Sequence, residues 1–162
     1  MYLDTPSQTD TTPHTRVRPA SGTCHVSITA PAQADSVATL RRRASMLFAW
    51  AMSADERSTA ALVISELLTN AVMHGHSEMT LVIALTGSVL EITVTDHGKP
   101  KTSSTPPSDA DEHGRGLVIV SAVTRDVRID ETATGWRTRA VMDLASADPT
   151  ATGASEVQLR VA

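Results

Sequence analysis

The chain is poor in aromatic residues and nearly free of cysteine: of 162 residues, 2% are Phe, Trp or Tyr, and Cys24 stands alone. A lone cysteine excludes an internal disulfide and a thiolate-built metal site. With few aromatics, the core falls to Leu, Val, Ile, Ala and Met, and a surface of aromatic platforms for stacked bases is not expected. Positive charge is also short. The net charge is −4 and the isoelectric point about 5.8, which argues against a direct nucleic-acid partner. No apolar run approaches membrane-spanning length, and the first 22 residues lack the apolar core of a signal peptide. A single cytoplasmic domain without membrane contact is therefore expected. The hydrophobic fraction of 41% is a little below that of ordinary globular chains, but the length suffices for a proper core.

What the chain does have is concentrated in one stretch, Asp55 to Gly75. Ser53 and Glu56 have capping-box spacing, which marks a helix start. Gly75 follows the last periodic residue and can end the helix in the left-handed conformation. Leu62, Val63, Leu67, Ala71 and Met73 supply an apolar stripe. Glu66 and Asn70 interrupt it. Being four apart, they share one helix face. Burying a carboxylate or an amide without partners costs about several kcal/mol, so the pair has two readings. One is a solvated helix edge. The other is a ligand site, in which the Asn oxygen joins the oxygen shell of Mg²⁺ and the Glu orients or deprotonates a nucleophile. His74, at the helix end, reads as a cap acting on the helix dipole.

The rest of the chain falls into place around this helix. Residues 1–22 are rich in Thr, Pro, Asp and Ser and read as a disordered arm. Cys24 to Ala30 fits a short strand ended by Pro31. Asp35 to Met52 reads as a helix with Val37, Leu40, Ala44, Leu47, Phe48 and Ala51 in one stripe. The consecutive Arg41, Arg42 and Arg43 point in different directions and form no basic face. Met79 to Leu85 and Val89 to Thr95 alternate around Thr86-Gly87-Ser88, a hairpin signal. The second runs into Asp96-His97-Gly98-Lys99-Pro100, and from there to His113 a long polar loop follows, as in lids and binding loops. Leu117 to Val123 reads as a short helix. Val127 to Ile129 and Arg139 to Leu144 read as closing strands, with Thr134-Gly135 at the turn. The expected divisions are an arm (1–22), one domain (23–145) and a tail (146–162). The element order implies an α+β, two-layer sandwich with helices on one face of a mixed, mostly antiparallel sheet.

Two further motifs carry chemistry. Asp96-x-Gly98 ends an apolar strand. Its carboxylate can accept from an exocyclic amine, and the glycine lets a flat base approach the backbone. Alone, such a motif is more often only a turn. Gly114-Arg115-Gly116-Leu117 opens a helix, where exposed N–H groups and glycines suit phosphate oxygens and Arg115 can add a charge-assisted contact. It is neither a Rossmann fingerprint nor a P-loop.

Glu66-x3-Asn70, Asp96-x-Gly98 and Gly114-x-Gly116-Leu117, in this order and on these elements, closely resemble the GHKL family of ATP-binding domains, which includes gyrase, histidine kinases and MutL. Ser65 to Gly75 and Gly114 to Leu117 look most like the small bacterial anti-sigma-factor serine/threonine kinases and their actinobacterial relatives. The resemblance covers about residues 24–144. It implies the GHKL (Bergerat) ATP-binding fold with ATP and Mg²⁺ as cofactors. Asn70 would coordinate the metal, and Glu66 would act as catalytic base or polariser toward a serine or threonine hydroxyl on a partner protein. Asp96 would bind the adenine amino group with Gly98 beside it. Gly114, Arg115, Gly116 and Leu117 would close on the phosphates, and Thr138 would support Asp96. The implied function is phosphorylation of an anti-sigma-factor antagonist and regulation of a sigma factor, hence transcription regulation, with a homodimer possible. The alternative is a nucleotide-binding regulatory module with little or no kinase activity. One departure stands out: where close relatives often read Gly-Lys-Thr or Gly-Thr-Thr, this chain has Trp136-Arg137-Thr138.

Overall fold

The computed structural model describes residues 14–20, 23–74, 77–97 and 115–145. In chain order the elements are β1 (His14–Ala20), β2 (Thr23–Pro31), α1 (Ala34–Leu47), α2 (Ala54–His74), β3 (Glu78–Thr86), β4 (Val89–His97), α3 (Arg115–Val123), β5 (Asp126–Thr132) and β6 (Gly135–Asp143). The strands form one six-stranded sheet in the order β1-β2-β3-β4-β6-β5.

Strict alternation builds this sheet. Met79, Leu81, Ile83 and Leu85 of β3 and Leu90, Ile92 and Val94 of β4 are buried, while the residues between them lie on the opposite face. The β3–β4 hairpin closes over Gly87-Ser88, and Gly87 takes φ +57, the left-handed conformation a tight hairpin needs. α1, α2 and α3 cover one face. Leu40, Ala44 and Phe48 meet Val63, Leu67 and Leu68 of α2 and Val120 of α3 in one core with the strands. The two-layer α+β sandwich is thus as the element order implied.

Several expectations are corrected. Every strand pair among the described residues is antiparallel, so the sheet is not mixed. β6 inserts between β4 and β5, so the crossover through α3 never lays two strands side by side in parallel. His14–Ala20, inside the segment expected to be a disordered arm, pairs with β2 as an edge strand. Its composition concealed this because an edge strand pairs through its backbone. The first long helix stops at Leu47, and a 3₁₀ turn covers Ala49–Ala51. Besides its own backbone bond from the Ala51 N–H to the Phe48 carbonyl, three side-chain bonds hold that turn: Trp50 Nε1 donates to the Leu47 carbonyl, and the Arg57 guanidinium donates to the carbonyls of Ala49 and Met52. In α2, Leu62 and Met73 are exposed, and Ile64 and Leu68 take their places in the core. α2 is covered on two sides, by the sheet and by neighbouring helices, which rotates the buried stripe.

The capping box forms as read. The Ser53 N–H donates to Glu56 Oε2 at 2.7 Å and the Glu56 N–H to Ser53 Oγ at 3.3 Å. Glu56 Oε1 also accepts the Ala145 N–H at 2.6 Å, tying the end of the sheet to the start of α2. These bonds hold the Glu56 carboxyl below its ordinary value, the Ser53 N–H contributing most. The expected glycine cap at Gly75 lies outside the described residues.

Candidate active site

The site residues lie on the helix side of the sheet, in two groups. The first sits where α2 meets α3. Glu66 and Asn70 are both half-buried, one turn apart on α2. Gly116 lies in the first turn of α3, pressed against Glu66. A Cβ built on Gly116 would lie 2.5 Å from Glu66 Oε2. A side chain at 116 would therefore displace the carboxylate from its present position. The first N–H groups of α3 lack intrahelical partners, as at any helix start. The helix thus brings a positive dipole end to the carboxylate, and N–H groups of this kind suit anions. Arg115 is exposed at that start, and Leu117 turns inward against the core.

The second group sits where β4 meets β6. Asp96 and Thr138 are the two buried polar side chains among the described residues, each 4% exposed. Both lie on the core-facing side of their strands: Thr138 pairs with Val94, and Asp96 is two residues on from Val94. Asp96 is anchored, since its Oδ1 accepts the backbone N–H of Trp136 at 3.1 Å. A carboxylate has two oxygens and about four acceptor positions, so this one bond leaves it able to take an amino group. Burying a carboxylate is costly unless it is partnered, and here the backbone supplies the partner.

Gly135 is the constraint on Asp96 that the sequence concealed. It was assigned to a turn, but the turn is Ala133-Thr134 and Gly135 is the first residue of β6. A Cβ there would lie 2.3 Å from both the Asp96 carbonyl oxygen and Asp96 Oδ1. Only glycine lets β6 start this close to the end of β4. Its position three residues before Thr138 was the available signal.

The sequence-derived site residues that fall within the described residues divide between these two groups. Glu66, Asn70, Arg115, Gly116 and Leu117 belong to the helix junction, and Asp96 and Thr138 to the strand junction. Gly98 and Gly114, and with them most of the polar loop, lie outside the described residues. Among the described residues, no cluster of three or more His, Cys, Asp or Glu side chains could hold a metal by itself. The donor set fits an ion held by a single protein amide oxygen, with phosphate oxygens and water completing its shell. A cleft lined by Pro31, Asp35, Thr39 and Arg43 lies apart, between β2 and α1, and shares no residue with either group. Among the described residues, no helix is long and apolar enough to cross a membrane.

The helix side of the sheet thus carries a carboxylate and an amide on one face of α2, the start of α3 against that carboxylate, and a buried Asp–Thr pair at the sheet end. Comparison with known proteins identifies the family. No curated protein matches the chain. The model of the histidine kinase-like ATPase domain matches residues 30–142, well over half of its length. The chain belongs to the histidine kinase-like ATPase domain family, and ATP binding follows from that membership.

Proposed function

We propose that the chain is a serine/threonine protein kinase of the anti-sigma-factor type, which phosphorylates an antagonist protein and so regulates a sigma factor. The observation that carries this reading is the Glu66 carboxylate set against Gly116 at the start of α3, one turn from Asn70. ATP supplies the transferable phosphoryl group, and Mg²⁺ neutralises its charge. Asn70 offers its side-chain oxygen to the metal. The N–H groups at the start of α3, with Arg115, hold the phosphates. Asp96, fixed by the Trp136 N–H, holds the base amino group, and Thr138 supports it. Glu66 orients the partner's hydroxyl and takes its proton. The chemistry is positioning and charge neutralisation. A homodimer belongs to the same proposal, and light scattering that shows only monomer at high concentration would remove it.

The second reading, a nucleotide-binding regulatory module with little or no kinase activity, draws on Trp136-Arg137 in place of the residues common in close relatives. Calorimetric titration with ATP and Mg²⁺ and a phosphoryl-transfer assay separate the two. Asn70→Ala should abolish Mg·ATP binding. Glu66→Ala should keep binding and lose transfer. Equal loss of binding in both variants would contradict these roles. Tight binding by the wild type, with no transfer to any serine-bearing partner protein, would select the module.

A further inference from the structure

The indole of Trp136 has no role in the site as described. The chain has two tryptophans. Trp50 lies in the 3₁₀ turn that follows α1, with its Nε1 donating to the Leu47 carbonyl. Trp136 is 40% exposed at the start of β6. In β6 the side chains of Thr138, Ala140 and Met142 are buried, and Trp136 shares their parity. It therefore points to the helix side of the sheet, the side on which Asp96 is buried. Its backbone N–H is the group that Asp96 Oδ1 accepts, so the root of the indole is fixed one bond from the carboxylate. Gly135 before it has no side chain, so nothing from that position stands between the two. On β5, Ile129 lies opposite Thr138 on the same face and is 47% exposed.

We propose that Trp136 is a specificity-determining residue that packs against the ring of the nucleotide base whose amino group Asp96 holds, and so selects purines. The proposal rests on the nucleotide reading above. A flat, partly exposed indole whose backbone is anchored beside a buried acceptor has the form of a base site: a π surface for the ring and a carboxylate for its amine. The low aromatic content excludes a row of stacking platforms, but one base needs only one. Stacking a base on an aromatic side chain is worth about five- to a hundred-fold in affinity. A purine covers more of the indole than a pyrimidine does.

Nucleotide choice separates the two groups. CTP carries an exocyclic amine that Asp96 can accept but offers a smaller ring. GTP keeps the purine area but presents a carbonyl where adenine has its amine. Titration of the folded protein with ATP, CTP and GTP in Mg²⁺ should give ATP the tightest binding. Trp136→Ala should weaken ATP about tenfold and shrink the ATP-over-CTP preference, while leaving the ATP-over-GTP preference in place. Trp136→Phe should recover most of the loss. In a Trp50→Phe background, ATP should change the emission of Trp136, a readout that keeps the indole intact and decides the matter even if Trp136→Ala folds poorly. Unchanged ATP affinity and unchanged ATP-over-CTP preference in Trp136→Ala, or silent emission on saturation, would overturn the proposal alone. A folded wild type that binds no ATP would overturn the nucleotide reading together with it.

Discussion

The two faces of the sheet use the same strands for opposite purposes. On the helix face, Asp96 and Thr138 are the polar exceptions in an apolar surface, and both are buried. On the other face, polar residues are ordinary. Glu91 pairs with Arg139 at 2.6 Å, Asp126 with Arg128 at 3.0 Å, and Thr29 meets Thr80 at 3.1 Å. Glu91 and Asp96 stand an odd number of residues apart on β4, so the pleat sends them to opposite sides. Each carboxylate has a fixed partner. Arg139 holds the Glu91 carboxyl below its ordinary range through a hydrogen bond, against a smaller effect of burial. Residue type therefore says little by itself. A carboxylate that the core surrounds has a function to explain it, and one that water surrounds usually has not.

This contrast can be broken by mutation. The largest effect is expected in the shared core. Leu68 is fully buried between α2 and the rest of the core, and Leu68→Ala should cost about 2–5 kcal/mol in chemical denaturation. Next comes the functional face. Asp96→Asn keeps the shape and can still accept the Trp136 N–H, but in the proposed site it would turn an amide donor toward the base amine. ATP affinity should fall by about tenfold or more, with the melting temperature little changed. Glu91→Gln, the same chemical change on the other face, should leave ATP affinity untouched, and a matching loss there would break the distinction between the faces. Smaller still, Arg139→Ala should cost about 0–1 kcal/mol of stability, less at high salt.

The smallest effect concerns Glu56. Its carboxyl titrates below its ordinary value in the folded chain because the Ser53 N–H and hydroxyl and the Ala145 N–H bond the charged form. That stabilisation is complete above the unfolded carboxylate value and is lost as pH falls through the folded one. Below about pH 5, wild-type stability should therefore decline more steeply than that of Glu56→Gln in parallel melts. Equal slopes would show that the ties to Ser53 and Ala145 contribute nothing.

Legibility followed distance along the chain. The Ser53–Glu56 box spans one helical turn and was read correctly. Glu66 and Asn70 share one half-buried face of α2, as their spacing requires. Gly135 was missed because its constraint comes from Asp96, far earlier in the chain. Leu62 and Met73 were put in the core because helical spacing shows that a stripe exists but not how its edges are covered. His14–Ala20 was missed because an edge strand pairs through its backbone, which composition does not reveal.

Local order alone determined the helices, the alternating strands, the tight turn at Gly87 and the three motifs, since caps, periodicity and turn conformation act within a few residues. Only the tertiary structure decided that β6 lies beside β4, that Gly135 and the Trp136 N–H meet Asp96, and that Gly116 meets Glu66. Those meetings are set by which apolar faces cover one another and which backbone groups find partners across the sheet, and no local pattern encodes that choice.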